Sequence, residues 1–299
     1  MTAEPEKHSF AMLAEPYRRE LRAHCYRMLG SIADADDATQ DAMLRAFRAA
    51  ETLESPNAAR AWLYQIATNV CLDRLGKRAA IATEPMSPDP VPASFWETTE
   101  VGPDARIFVR ESVALAFMAA IQELTPLQRA VLLLRDVMGW SANEVAELID
   151  QSVASVNSAL QRARERCPTV PRKTEIDPAI ADQLARYVRA WEASDASALT
   201  SLLREDAQLT MPPTPAVIGQ DAIRELLTGI FAVHDAFRVI PIEVSGGPGF
   251  ACYHREQGDT HFRPHLVQSV EWDETGIRVL HTYLDVRLFE PFGLPLEIA

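Results

Sequence analysis

The sequence predicts a multidomain fold: two all-α helical domains, the second a helix-turn-helix, followed by an α+β domain that combines helices with a curved antiparallel sheet. Three observations predict it. Apolar residues recur at spacings of three and four over residues 11–80 and 106–166, as they do in amphipathic helices. A proline-rich stretch separates these two regions. Beyond residue 176, two or three helical patterns precede several β-type runs, which is typical of an α+β domain.

Length, composition and charge exclude several classes of protein. The 299 residues suggest two or three domains, and no run of about 18 apolar residues predicts a membrane span. The N-terminus lacks the features of a secretory signal, so we expect a cytoplasmic protein. The four cysteines are scattered without a CxxC pair, so neither a disulfide framework nor a zinc site is expected. The net charge of −13 excludes a basic nucleic-acid coat; DNA contact must come from a local patch or through a partner.

The first helical domain is predicted over residues 10–80. Its first helix carries an apolar stripe that includes Leu21, Cys25 and Met28, and Gly30-Ser31 ends it. Further helical patterns follow at about 33–50 and 57–78. Residues 81–104 then hold five prolines and five acidic residues but no basic residue, which predicts an acidic linker without a core of its own. A mere spacer and a regulated segment are both compatible with this composition.

The second helical domain, residues 105–168, carries the sharpest motif. Thr125-Pro126 predicts a helix start, and Gly139 predicts its end. Ser141 and Glu144 form a capping box for a short helix, after which Ser152 caps a last helix that extends to about residue 166. This is the arrangement of a helix-turn-helix.

The last helix predicts a DNA-facing surface. Val153, Val156, Leu160 and Ala163 form the inward stripe, whereas the outward face carries small polar residues first and arginines further along (Ala154, Ser155, Ser158, Gln161 and Arg162). Such a helix suits the major groove, with its first turn at base edges and its arginines at phosphates. The alternative is a plain helical hairpin with a solvated arginine face.

The helical half resembles an extracytoplasmic-function (ECF) sigma factor of bacterial RNA polymerase. LRAHCYRMLGSIADADDATQDAMLRAFRA and ARAWLYQIATNVCLDRLGKR resemble the second conserved region of the family. LTPLQRAVLLLRDVMGWSANEVAELIDQSVASVNSALQRARER resembles its fourth. Residues 81–104 fall where the family places the link between its two promoter-reading domains.

The resemblance implies two sets of site residues. The helix at about 33–50 is expected to bind polymerase core through Asp36, Asp37, Gln40, Asp41, Leu44 and Phe47, by complementary charge and an apolar anchor. Helix-dipole stabilisation alone would explain one or two of these acids. Promoter DNA is expected to contact Asn69, Arg74, Lys77, Arg78, Ser155, Ser158, Arg162 and Arg164. Trp62 and Tyr64 are expected in the core. The acidic ETLESPNAARA stands where the family tends to be basic, which weakens the promoter-melting assignment.

Residues 176–299 resemble the SnoaL-like branch of the NTF2-like fold, a cone of curved sheet and helices around a pocket. The matching pieces are LTMPPTPAVIGQDAIRELL, SGGPGFACYHRE, HLVQSVEW and YLDVRLFEPFGLP. The resemblance implies a concave, mostly apolar ligand site inside the cone. We expect its lining to include Trp191, Met211, Tyr253, His265, Tyr283 and Asp285.

Two functions remain open for this domain. In the first, it binds a small effector or docks on the helical half and so regulates a sigma factor that directs polymerase core to promoters. In the second, the chain is a sigma-derived enzyme that performs cyclisation, hydration or isomerisation of an apolar small molecule by acid–base chemistry. Its catalytic candidates are then His265, His281, Tyr283 and Asp285, and strand alternation places the last three on one face.

We adopt the sigma-factor interpretation, in which the chain itself catalyses nothing. The expected partners are RNA polymerase core, promoter DNA and a small-molecule ligand of the C-terminal domain, without a membrane. No cofactor and no metal are expected, because the histidines show no recognisable ligand spacing.

Overall fold

The computed structural model describes residues 13–53, 55–79, 88–96, 115–167 and 178–299. The chain divides into two compact units. One comprises residues 1–89 and 95–171, and the other comprises residues 90–94 and 172–299. The predicted fold class is confirmed, with helices in the first unit and helices plus a sheet in the second.

The first unit contains seven helices among its described residues. They are α1 (Arg18–Leu29), α2 (Ile32–Arg48), α3 (Ala59–Ala79), α4 (Leu115–Gln122), α5 (Pro126–Leu132), α6 (Ala142–Leu148) and α7 (Val153–Arg166). Helices α1, α2 and α3 pack on one another, and α7 packs on both α5 and α6. Helix α3 also packs on α5 and α6, so both predicted helical domains share one unit.

The helix boundaries follow the capping residues. Gly30 takes the left-handed conformation, with φ 77°, and ends α1. Ser31 caps α2. Capping boxes start α5 at Thr125 and Gln128, and α6 at Ser141 and Glu144. After α5 the backbone continues as one π-helical turn, Leu133–Val137, which the sequence pattern did not predict.

The middle of the predicted linker is packed, so residues 88–96 are not a bare spacer. In the first unit, Phe95 and Trp96 are buried with their ring centroids 5.2 and 5.5 Å from that of Tyr26. The Asp89 carboxylate accepts a 2.7 Å hydrogen bond from the backbone N–H of Ile32. The other linker residues, 81–87 and 97–104, lie outside the described residues.

Among its described residues, the second unit combines three α-helices with a six-stranded sheet. The helices are α8 (Pro178–Glu192), α9 (Ala196–Thr200) and α10 (Gln220–Val233). The strands are β1 (Leu203–Met211), β2 (Thr214–Ile218), β3 (Ala236–Val244), β4 (Gly247–Arg255), β5 (Arg263–Asp273) and β6 (Gly276–Tyr283), in the order β2-β1-β6-β5-β4-β3. All pairs are antiparallel except β1–β6, which is parallel. The helices and the sheet share one apolar core that includes Trp191 and Phe250.

Residues 90–94 belong to this second unit. Val91 is fully buried, and its carbonyl oxygen accepts a 2.7 Å hydrogen bond from the backbone N–H of Ser245. The N–H of Val91 donates to Ser245 Oγ at 3.3 Å. Five residues from the segment that joins the two predicted helical domains are therefore part of the C-terminal unit.

Candidate functional site

Helix α2 presents an exposed surface that is acidic and apolar. Leu44 is 46% exposed and Phe47 is 38% exposed, which is unusual for large apolar side chains. Asp36, Asp37 and Gln40 are exposed on the same helix, and Asp41 is half-buried. All six predicted polymerase-contact residues thus lie on α2, and their exposure leaves them accessible to a partner.

All three of these acids are already paired with arginines. Arg22 Nη2 donates to Asp36 Oδ2 at 3.0 Å. Arg74 Nη2 donates to Asp41 Oδ2 at 2.5 Å, and its Nη1 lies 4.0 Å from Asp37 Oδ2. Arg74 is one of the predicted DNA contacts, so the structure joins a residue from each predicted set in one ion pair.

Helix α3 carries the other predicted contacts with the melted promoter. Asn69 and Lys77 are exposed, whereas the side chain of Arg78 lies outside the described residues. Tyr64 is buried, as expected, and Trp62 is half-buried. Burial raises the pKa of the Tyr64 hydroxyl, which therefore stays protonated.

Helix α7 has the two faces expected of a recognition helix. Val156, Leu160 and Ala163 are buried, but Val153 is 38% exposed, so the prediction that Val153 belongs to the inward stripe was wrong. It is the first helical residue after the Ser152 cap, where the neighbouring helices no longer cover it. Ser158 and Arg162 are exposed and Ser155 is half-buried.

The two predicted DNA-contact arginines of α7 differ in their partners. Arg164 is held by Asp136 in a two-pronged pair, with Nε–Oδ2 at 2.9 Å and Nη2–Oδ1 at 2.7 Å. This pair raises the pKa of the Arg164 guanidinium. Arg162, two residues earlier on the same helix, is exposed to solvent.

Several of the residues predicted to line a ligand pocket are buried in the packing of the second unit. Trp191 is 2% exposed and packs against Phe231 and Phe237, and Tyr253 is fully buried with its hydroxyl donating to the Pro295 carbonyl at 2.9 Å. Met211 packs half-buried against the core, and Tyr283 is 9% exposed. An open groove of about 540 Å³ lies elsewhere, along α10, and none of the predicted pocket residues lines it (Val217, Ala222, Glu225, Leu226, Gly229, Ile230, Val233 and His234).

The alternative catalytic residues also have separate partners. His281 Nε2 lies 3.1 Å from Glu271 Oε1, and its Nδ1 lies 3.1 Å from Thr210 Oγ1. Asp285 does not share a strand face with His281, because β6 ends at Tyr283 and Asp285 caps a short 3₁₀ helix, Val286–Phe289. Asp285 also binds Arg287, which lowers the pKa of its carboxyl.

Three histidines that the sequence did not group lie together. The ring centroid of His234 is 4.4 Å from that of His254 and 5.0 Å from that of His265, and the last two rings are stacked at 4.8 Å. Burial, followed by the neighbouring imidazoles, lowers the pKa of His265 to about 4. Burial and His234 also lower the pKa of His254. No local spacing in the sequence groups these histidines. They come together because they lie at the ends of three different elements.

Comparison with known proteins identifies the chain. It is 40% identical to the ECF RNA polymerase sigma factor SigG of Mycobacterium tuberculosis over an alignment that covers 98% of this chain and 86% of SigG. The chain belongs to the ECF sigma factor family. The ECF sigma factor SigJ of the same organism is 30% identical over 72% of this chain and 71% of SigJ.

The family models divide this sigma factor in three. Residues 13–81 match Sigma-70 region 2, residues 114–167 match Sigma-70 region 4, and residues 184–281 match the SnoaL-like domain. The crystal structure of M. tuberculosis SigJ has the same fold, with a TM-score of 0.63 and 25% identity over 97% of this chain and 99% of SigJ. Both family resemblances seen in the sequence are thereby confirmed.

As a sigma factor, the chain functions in transcription initiation with RNA polymerase core and promoter DNA. These findings support this function over the enzyme alternative. Among the described residues, no helix combines the length and the apolar character needed to cross a bilayer.

Proposed function

We propose that this sigma factor binds RNA polymerase core through the exposed surface of α2 and promoter DNA through α3 and the outward face of α7. The observation that carries the proposal is the pair Leu44 and Phe47, two large apolar side chains exposed one helical turn apart beside acidic residues. Buried apolar anchors inside a charged rim supply most of the energy of many protein interfaces. A protein that acts with RNA polymerase core works where bacterial transcription takes place, so we expect it in the cytoplasm.

The test is a titration of labelled sigma factor with polymerase core. Replacing Leu44 and Phe47 together by alanine should weaken binding by about a hundredfold, since each anchor contributes on the order of 1–2 kcal/mol. Ile218→Ala is the matched control, because Ile218 is 62% exposed but lies in the C-terminal unit. Equal affinity of the double variant and the wild type would refute the assignment of this surface.

We also propose that the SnoaL-like domain regulates promoter output through residues 90–94. The support is that Val91 is buried in the C-terminal unit and pairs with Ser245, although it belongs to the segment between the two helical domains. The C-terminal domain thus holds the connection on which the separation of the two promoter-reading domains depends.

Val91→Asp should release this segment, because it places an unpaired charge in an apolar site. We expect a change of at least threefold in transcripts from a reconstituted reaction with core enzyme. Ser94→Asp adds the same charge to the same segment at an exposed position and should leave output unchanged. Unaltered transcription by Val91→Asp, with the buried site shown to be disrupted by faster hydrogen exchange, would refute the regulatory role.

For the small-molecule ligand we propose the groove along α10 in place of the predicted pocket. Its walls are mostly apolar, and they include Gly229, where an added Cβ has no atom within 4 Å. The Cβ of Gly229→Leu therefore meets no atom, and the larger side chain should occupy part of the groove and reduce the fluorescence of the apolar probe anilinonaphthalene sulfonate. Identical probe binding by the variant would exclude this groove as the site.

A further inference from the structure

The histidine cluster of His234, His254 and His265 is assembled from three different elements. His234 immediately follows α10, His254 lies near the end of β4, and His265 lies near the start of β5. One ring nitrogen from each residue lies within 4.8 Å of the others, and all three side chains are half-buried. The closest pair, His234 Nδ1 and His254 Nδ1, is 2.9 Å apart.

A β-bulge directs His265 toward the other two. Across β4 and β5, Cys252 is opposite Leu266 and Tyr253 is opposite Pro264, so His265 is the extra residue between them. Bulges change the direction of a side chain at a chosen point of a strand, and they are common beside functional sites. Here the bulge places the His265 ring parallel to that of His254, at an interplanar angle of 23°.

The donor set matches one kind of ligand. Three imidazole nitrogens with a fourth position left open are a known donor set for Zn²⁺, with metal–nitrogen distances of about 2.0–2.1 Å. Tetrahedral geometry at that bond length separates the nitrogens by about 3.4 Å. The observed separations, from 2.9 Å to at most 4.8 Å, bracket this value.

The charges around the cluster also favour a cation. Glu256 and Asp259 act on His254 as negative charges, and Glu225 lines the groove to which His234 contributes. Arg263 opposes them, but its guanidinium is 3.6 Å from Asp259 and is partly neutralised there.

We propose that His234, His254 and His265 bind a single divalent transition-metal ion of the zinc type. Because His234 also lines the groove along α10, the open coordination position would be next to that groove and available to water or an added ligand. The sequence does not predict this site, since the three histidines are separated by 20 and 11 residues and the structure alone brings them together.

The test uses the full-length chain after removal of metals with a chelator. Cobalt(II) is titrated in, since a tetrahedral site gives strong visible absorption, and Zn²⁺ is then added to displace it. We expect saturation at one equivalent and an increase in melting temperature with Zn²⁺. His265→Gln and His254→Gln should each weaken Zn²⁺ binding by at least a hundredfold and abolish the visible bands.

His261→Gln is the matched control, because His261 is an exposed histidine of the same domain whose partner is Glu297. It should bind the metal as the wild type does. His234→Gln provides a variant outside the sheet, so that loss of binding is not confused with loss of strand pairing; circular dichroism of the metal-free forms checks folding. No saturable binding, or equal binding by all variants, overturns the proposal and leaves a cluster of packed histidines.

Discussion

His24 shows how burial controls a single titratable group. It is 1% exposed in the helical unit, and its Nε2 lies 3.0 Å from Thr68 Oγ1. Burial, and secondly the charge of Arg27, lower its pKa to about 3. An imidazole in the unfolded chain has a pKa of about 6.5, so only the unfolded chain binds this proton at intermediate pH.

This difference predicts a pH-dependent stability. Since the unfolded state binds this additional proton between pH 6.5 and 3, the contribution of His24 to the free energy of unfolding is fully present above pH 6.5. It falls as the pH decreases. The contribution of His24 is about 1.4 kcal/mol per pH unit in this range. His24→Gln should reduce the pH slope by one proton in urea unfolding of the helical unit between pH 6 and 4.5. The variant also loses the contact with the Tyr64 ring, so its stability is lower near neutral pH. An unchanged slope would contradict the prediction.

For single residues, the sequence predicted which side chains are buried or exposed on a helix better than it predicted their interaction partners. Exposure of Ser158 and Arg162 and burial of Val156 and Leu160 follow from helical period alone. The ion pair between Arg74 and Asp41 does not, because it joins two helices whose packing the sequence does not specify. The histidine cluster was missed for the same reason.

Among the elements, α7 offers the clearest test of the proposed promoter surface, because its two arginines differ in their partners. Arg162 is exposed, but Arg164 must leave Asp136 before it can contact a phosphate. Arg162→Ala should therefore weaken holoenzyme binding to promoter duplex severalfold and reduce the slope of log affinity against log salt by about 0.9. Arg164→Ala should have a smaller effect on both quantities. Fluorescence anisotropy at several salt concentrations measures them, and a larger effect of Arg164→Ala would reverse the assignment.

Element boundaries were predictable where a capping residue defines them. The capping roles predicted for Ser141, Glu144 and Ser152 are the ones that these residues have in the structure. The sequence pattern indicates a helix over about 195–204, so strand β1, which begins at Leu203, was not predicted. On the side toward the centre of the sheet, β1 pairs with β6, which lies far along the chain and runs parallel to it. No local turn in the sequence therefore indicates this pairing. The bulge at His265 is likewise a property of paired strands.

At the scale of the molecule, the helical unit joins the two domains that we propose contact promoter DNA. The ring of Tyr64 on α3 is 5.3 Å from that of Trp140, which precedes α6, and the Tyr64 hydroxyl lies 3.8 Å from Met138 Sδ. Arg129 on α5 donates to the Met28 carbonyl at the end of α1. These contacts hold the second domain on the first, and they oppose any arrangement in which the two domains separate.

Trp140→Ala tests whether this packing limits promoter binding. It removes one edge-to-face aromatic pair, an interaction of about 0.5–1.5 kcal/mol, which corresponds to roughly a two- to tenfold change in an opening equilibrium. Amide hydrogen exchange in residues 59–79 should accelerate by that factor, and Val153→Ala, an exposed apolar change on α7, should leave it unaltered. If the domains separate before the promoter is bound, holoenzyme affinity for promoter DNA rises by the same factor in Trp140→Ala. Faster exchange with unchanged affinity would show instead that both domains reach the DNA without leaving each other, and the contact would then be purely structural.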